Sequence, residues 1–183
     1  MKLAEPDDRE LVLRSRSGDA AAFDRLVERH TTSLYRVARR LMADSQEAEE
    51  IVQEAWLRAW RGLSSYRVTA PFFPWLAGIA TNAARDQWRR RRPVDFSDLG
   101  PEEFPSLEET GVPELQMDRG EAIQRLSEAV ARLRPEQRAV IALRYEAELT
   151  YQEIAIALSI PINSVRTHLH RAKLALRRGL EEQ

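Results

Sequence analysis

The side chains in this chain that could move a proton or hold a metal cluster in two places. Glu47, Glu50 and Glu54 recur at helical spacing within "SQEAEEIVQEAWLRAW", and His168 and His170 stand two apart in "SVRTHLHRAKLALRR". Carboxylates alone on one helix face, with no histidine among them, make an ordinary solvated surface rather than a transition-metal site. The two histidines, two residues apart on a helix, point to different sides and do not share an ion. The chain has no cysteine, which removes disulfide, thiolate and cysteine-zinc chemistry. It also lacks a Gly-rich phosphate loop, a nucleophile elbow and zinc-ligand spacing. No catalytic residue, metal or cofactor is expected. The remaining chemistry is that of fixed cations facing phosphate. Five arginines and one aspartate occupy residues 85–92, and Arg166, Arg171, Lys173, Arg177 and Arg178 lie within residues 164–178 without an acid. Between them, from Pro93 to Asp118, stand eight carboxylates and no Lys or Arg. The formal net charge of −1 thus conceals a basic, acidic, basic order, and distribution rather than sum decides nucleic-acid binding.

The elements that must position these cations are helical. The acidic stretch holds Pro93, Pro101, Pro105 and Pro113 with Gly100 and Gly111 and has neither hydrophobic period, so it is expected to be a flexible linker. It divides the 183 residues into two small all-α domains, 1–92 and 119–183. In the first, "GDAAAFDRLVERHTTSLYRVARRLM" places Phe23, Leu26, Val27, Leu34, Val37, Ala38 and Leu41 at helical spacing, with a bend expected at His-Thr-Thr. Asp44 and Glu47 make a capping box for the next helix, in which Ala48, Ile51, Val52, Ala55 and Ala59 form the buried stripe. Glu47, Glu50, Gln53, Glu54 and Leu57 share its other side. Residues 63–73 read as a loop, and Pro74 lies in the first turn of a helix that carries Asn82, Arg85, Asp86 and Arg89 on its open side. The tryptophans at 56, 60 and 75 are expected to pack inward. The longest apolar stretch, "APFFPWLAGIA", is too short and too proline-broken to span a bilayer, and "MKLAEPDDRE" lacks a signal core. A soluble cytoplasmic protein with no stable membrane insertion is expected.

The second domain closes on a helix-turn-helix. Thr150 and Glu153 form a capping box for a helix from Tyr151 to Leu158; Ser159 to Ile162 make the turn, with Pro161 barring continuation. Asn163 or Ser164 is expected to cap the last helix. Ile154, Leu158, Ile160, Val165 and Leu169 bury together, leaving Arg166, His170, Lys173 and Arg177 on the opposite side, flanked by Thr167 and Arg171. A helix held on one face and basic on the other suits the DNA major groove.

These blocks, "GDAAAFDRLVERH", "EAEEIVQEAWLRAW", "FPWLAGIATNAARDQWRRRR" and "LRPEQRAVIALRYEAELTYQEIAIALSIPINSVRTHLHRAKLAL", taken in this order, resemble the bacterial extracytoplasmic-function sigma factors, small initiation subunits of RNA polymerase. The resemblance implies a region 2-like bundle that binds core polymerase and opens the minus-10 element, and a region 4-like domain that reads the minus-35 element. By position it implies that Glu50, Gln53, Glu54 and Leu57 dock core polymerase. Ser65 and Tyr66, in the loop that captures a flipped base, and Asn82, Arg85, Asp86 and Arg89 would meet minus-10 DNA, with Tyr66 or Phe72 stacking on a base. Arg166, Thr167, His170, Arg171 and Lys173 would meet minus-35 DNA. Core RNA polymerase, promoter DNA and an anti-sigma factor are the partners it implies. The family commonly carries Gly where Ser159 stands, Gly-Thr at Asn163 and Ser164, and Arg at His168. A helix-turn-helix alone would also suit a stand-alone operator-binding regulator or an adaptor that sequesters polymerase; "EIVQEAWLRAW" followed by "WLAGIATNAARDQWRR" is what distinguishes them.

Overall fold

A computed structural model describes residues 5–42, 44–91 and 119–181; the acidic linker expected at 93–118 lies outside them. All regular structure among the described residues is helical: α1 (Asp8–Arg16), α2 (Ala20–Leu41), α3 (Ser45–Gly62), a short 3-10 turn (Leu63–Ser65), α4 (Phe72–Arg91), α5 (Arg119–Ala131), α6 (Pro135–Tyr145), α7 (Tyr151–Leu158) and α8 (Ile162–Glu181).

Local chemistry sets most of the helix starts. The Asp44 carboxylate accepts from the backbone N–H groups of Gln46 (2.7 Å) and Glu47 (3.2 Å), which fixes the start of α3. Thr150 and Glu153 form the full reciprocal box at α7: Thr150 Oγ1 accepts from Glu153 N–H at 3.2 Å, and Glu153 Oε2 accepts from Thr150 N–H at 2.8 Å. One expectation, the cap of the last helix, needs correction. Helix α2 runs unbroken through its His-Thr-Thr centre, where His30 and Thr31 are engaged sideways. His30 Nε2 lies 2.8 Å from Asp8 of α1, and Thr31 Oγ1 accepts from Trp56 Nε1–H of α3 at 3.1 Å. The last helix begins at Ile162, so Asn163 and Ser164 sit inside its first turn; backbone N–H groups of Ser164 and Val165 already turn back on Pro161 O.

The stripe Ala48, Ile51, Val52, Ala55 and Ala59 is buried, as is Trp56, and it faces α2 and α4. Helix α4 is covered from several sides. Leu76, Ala77, Ala80, Thr81, Ala83 and Ala84 are all buried, and α2, α3, α6 and α7 pack around them. The two halves of the chain consequently share one hydrophobic core rather than holding separate ones.

Candidate nucleic-acid interface

Three surfaces carry the residues singled out by the sequence. The first is the outer face of α3. Glu50, Gln53 and Leu57 are exposed there, Leu57 at 51%. Glu54 is half-buried because Arg58, one turn on, takes its carboxylate at 2.7 Å and reaches Asp86 of α4 at 3.0 Å. Those two hydrogen bonds, Glu54 first, hold the Arg58 guanidinium above its ordinary pKa. Trp60 departs from the expectation of inward packing. Its ring meets Phe23 edge-on at 4.7 Å, yet 48% of the residue stays exposed. Leu57 and Trp60, three apart, put an apolar ridge beside the acids; an amphipathic pattern reads such a tryptophan as core, so sequence reasoning missed it.

The second surface surrounds the loop between α3 and α4. Arg16 of α1 donates to the carbonyls of Leu63 (2.8 Å) and Tyr66, pinning the loop against the bundle. Ser65 is exposed, and its hydroxyl donates to Gly62 O at 2.8 Å. Tyr66 corrects the expectation of a stacking platform. It is 5% exposed, its hydroxyl donates to Ala70 O, and its ring packs on Phe72 and Trp75. Burial pushes its phenol pKa up. Phe72, 3% exposed, is equally enclosed. Beside them opens a cleft of about 550 Å³ lined by Asp8, Arg29, Val68, Phe72 and Phe73 among others. Phe73 stacks on His30 at 5.5 Å and is only half-buried, while Asp8 is held by Arg29 at 2.7 Å. On α4, Asn82 and Arg89 are exposed; Arg85, which acts on His168 of α8, and Asp86, which is paired with Arg58 of α3, are half-buried.

The third surface is α8. Val165, Leu169 and Ala172 are buried against the bundle, whereas Arg166 and Lys173 are exposed and Thr167, His170 and Arg171 are half-buried. Arg166 Nη1–H donates to Asn163 Oδ1 at 3.2 Å, which orients it at the helix start. His168 is 4% exposed and faces inward, between the start of α6 and α8. Burial lowers its pKa, with Glu136 opposing and Arg171 and Arg85 reinforcing the shift. His168 is therefore a packing residue in this form, and the outward face of α8 belongs to its neighbours. Basic side chains thus lie on α4 and α8, and an acidic and apolar face on α3.

Comparison with known proteins follows the same division. The model of the family described as Sigma-70 region 2 matches residues 26–94, and that of Sigma-70, region 4 matches residues 123–176. The RNA polymerase sigma-H factor of Pseudomonas aeruginosa is 32% identical over 187 residues, covering 98% of this chain and 96% of that protein. The ECF RNA polymerase sigma factor SigW of Bacillus subtilis is 32% identical, covering 91% and 93%. Among solved structures, that of CnrH in complex with the cytosolic domain of CnrY aligns with a TM-score of 0.71 at 25% identity, covering 96% of this chain and 98% of that one.

Proposed function

Because the chain belongs to the extracytoplasmic-function sigma factors and directs promoter recognition and transcription initiation by RNA polymerase, we propose that it divides this work among the three surfaces just described. The outer face of α3, with Glu50, Gln53, Glu54 and Leu57 and the adjoining Trp60, docks a basic coiled coil of the polymerase largest subunit. The cleft beside Phe73 and Val68 receives a base flipped from the non-template strand of the minus-10 element. Extruding a base costs on the order of a few kcal/mol, and stacking on an aromatic ring returns roughly 1–3 kcal/mol per base. Phe73 is the ring placed to supply that, since Tyr66 and Phe72 are enclosed. Ser65, Asn82, Arg85, Asp86 and Arg89 flank the path of the strand, with Tyr66 shaping the loop from within. Arg166, Thr167, His170, Arg171 and Lys173 meet the minus-35 duplex, where arginine reads guanine and every cation attracts phosphate.

The observation that supports this reading is that Glu50, Gln53, Leu57 and Trp60 share one exposed face of α3 while exposed cations lie on α4 and α8, with Arg58 joining Glu54 to Asp86 at the edge between α3 and α4. A sequestered anion site or enzyme cleft would bring charges together, whereas a bridging factor keeps a protein face apart from its DNA faces. The chain contributes binding energy and strand capture, and polymerase contributes the chemistry of RNA synthesis. The two DNA-reading units correspond to residues 1–92 and 119–183, with 93–118 between them, in accord with the matched family segments. CnrH was solved in complex with the cytosolic domain of CnrY, which supports a protein partner for this chain, and we infer that this partner is an anti-sigma factor in the cytoplasm. No helix among the described residues is long and apolar enough to cross a membrane.

Run-off transcription by bacterial core polymerase on a promoter-fragment library tests the proposal. Product should depend on the added protein and fall at least tenfold with a Gln53→Ala, Glu54→Ala double variant. Specific duplex binding without any protein-dependent transcript would favour a stand-alone regulator instead.

A further inference from the structure

The first turn of α8 carries one more polar side chain on the face that holds the minus-35 residues. Asn163 is exposed and stands one residue after the start of the helix at Ile162. The backbone N–H groups of Ser164 and Val165 return to Pro161 O at 2.9 Å and 3.2 Å, which fixes this turn, and the Val165 side chain, wholly buried, anchors it to the bundle. On a helix, residues 163, 166, 167 and 170 fall on one stripe. Arg166, Thr167 and His170 of that stripe meet the minus-35 duplex in the functional reading above, and Asn163 continues it by one turn toward the helix N-terminus. A recognition helix contacts base edges with its N-terminal residues, so the extension lies at the end that reads.

The chemistry of Asn163 suits one base. In the major groove adenine presents an acceptor at N7 and a donor at N6, and the asparagine carboxamide matches both at once. Its Oδ1 accepts from Arg166 Nη1–H at 3.2 Å. A carbonyl oxygen has two lone pairs, so that bond is compatible with a second from adenine N6–H. Arg166 in turn has five N–H donors, enough to serve Asn163 and still engage guanine O6 and N7. Because the two side chains are joined, the bases they read lie side by side. Holding the carboxamide in place before DNA arrives also reduces the rotamer freedom lost on contact. Glycine, which the family commonly carries at this position, offers no side chain to the groove.

We propose that Asn163 is a specificity-determining residue of this chain, selecting an adenine beside the guanine that Arg166 selects in the minus-35 element. The proposal rests on the functional reading above and adds to it a base preference peculiar to this sequence.

Run-off transcription by bacterial core polymerase on templates randomised through the minus-35 element, each with a barcode in its transcribed part, tests it. Wild type should favour adenine over each other base at one position by at least about fivefold, the lower end for a bidentate base contact. Asn163→Ala should flatten the preference at that position. Asn163→Asp, whose carboxylate accepts but does not donate, should move it from adenine to cytosine, whose N4 amino group donates. An acid suits the first turn of a helix, so this variant should keep the far-UV circular dichroism of wild type. A side chain that only supports the helix changes the total transcript and leaves base preferences as they were; unaltered preferences in both variants would overturn the proposal. One that only orients Arg166 has nothing left to do once that arginine is gone. In an Arg166→Ala chain, Asn163→Ala should still remove the adenine preference, and no further change there would equally overturn it. Where Arg166→Ala leaves too few transcripts to count, the Asp variant decides by showing or lacking the switch to cytosine. No wild-type-dependent transcript from any template would instead overturn the functional reading, and this proposal with it.

Discussion

Ser159 adopts a φ of 55°, the left-handed conformation, at the end of α7. Its N–H returns to Ile156 O, and the next N–H, of Ile160, to Ala155 O, so the turn is held by backbone alone. The residue is exposed. The left-handed region costs a side-chain-bearing residue about 1–2 kcal/mol, part of which glycine forfeits through unfolded-state freedom. Ser159→Gly should therefore raise stability by about 0.5–1 kcal/mol in urea titration. The physical ground for the family's glycine at this position is thus visible in the backbone, although the serine letter gave no hint that the angle would be kept. Tyr66 and Trp60 are the opposite lesson. Their types suited either a stacking platform or a core anchor, and only the three-dimensional surroundings assign Tyr66 inward and leave half of Trp60 outside.

At the scale of elements, what depends on neighbours within a few residues was legible. The α3 stripe and the caps at Asp44 and Thr150 follow from local spacing. Thr150→Ala removes the acceptor of Glu153 N–H and should cost about 1 kcal/mol; Thr150→Ser should restore most of it, both read from thermal unfolding. What depends on distant chain was not legible. Helix α4 reads as a two-faced helix with an open basic side, but α7 and α6 pack against it and Arg85 is half-buried. The alanines that look merely helix-forming in "LAGIATNAA" are small because helices approach from several directions. The pairing of Gly78 with Ala157 joins residues far apart in sequence that no periodicity connects.

At the scale of the molecule, His168 ties acidity to packing. Glu136 of α6, Arg171 of its own helix and Arg85 of α4 are the charged groups acting on it, and burial dominates in holding its pKa below the ordinary value of 6.5. The packed form therefore favours the neutral ring. Above pH 6.5 the ring is neutral whether packed or released, and its packing is fully stabilising. As pH falls from 6.5 toward the lowered pKa, the released form takes up a proton that the packed form resists, and stability is lost. Melting temperature should decline between pH 7.5 and 5.5 in wild type, and His168→Gln should flatten that decline; an identical slope in both would remove His168 from the account. The packing of α6 on α4 also gives the protein an optical signature of its own. Trp88 lies beneath the Arg138 guanidinium only while α4 and α6 stay together. Its indole emission therefore reports this contact, so its loss on unfolding can be followed in real time by intrinsic fluorescence with no label attached.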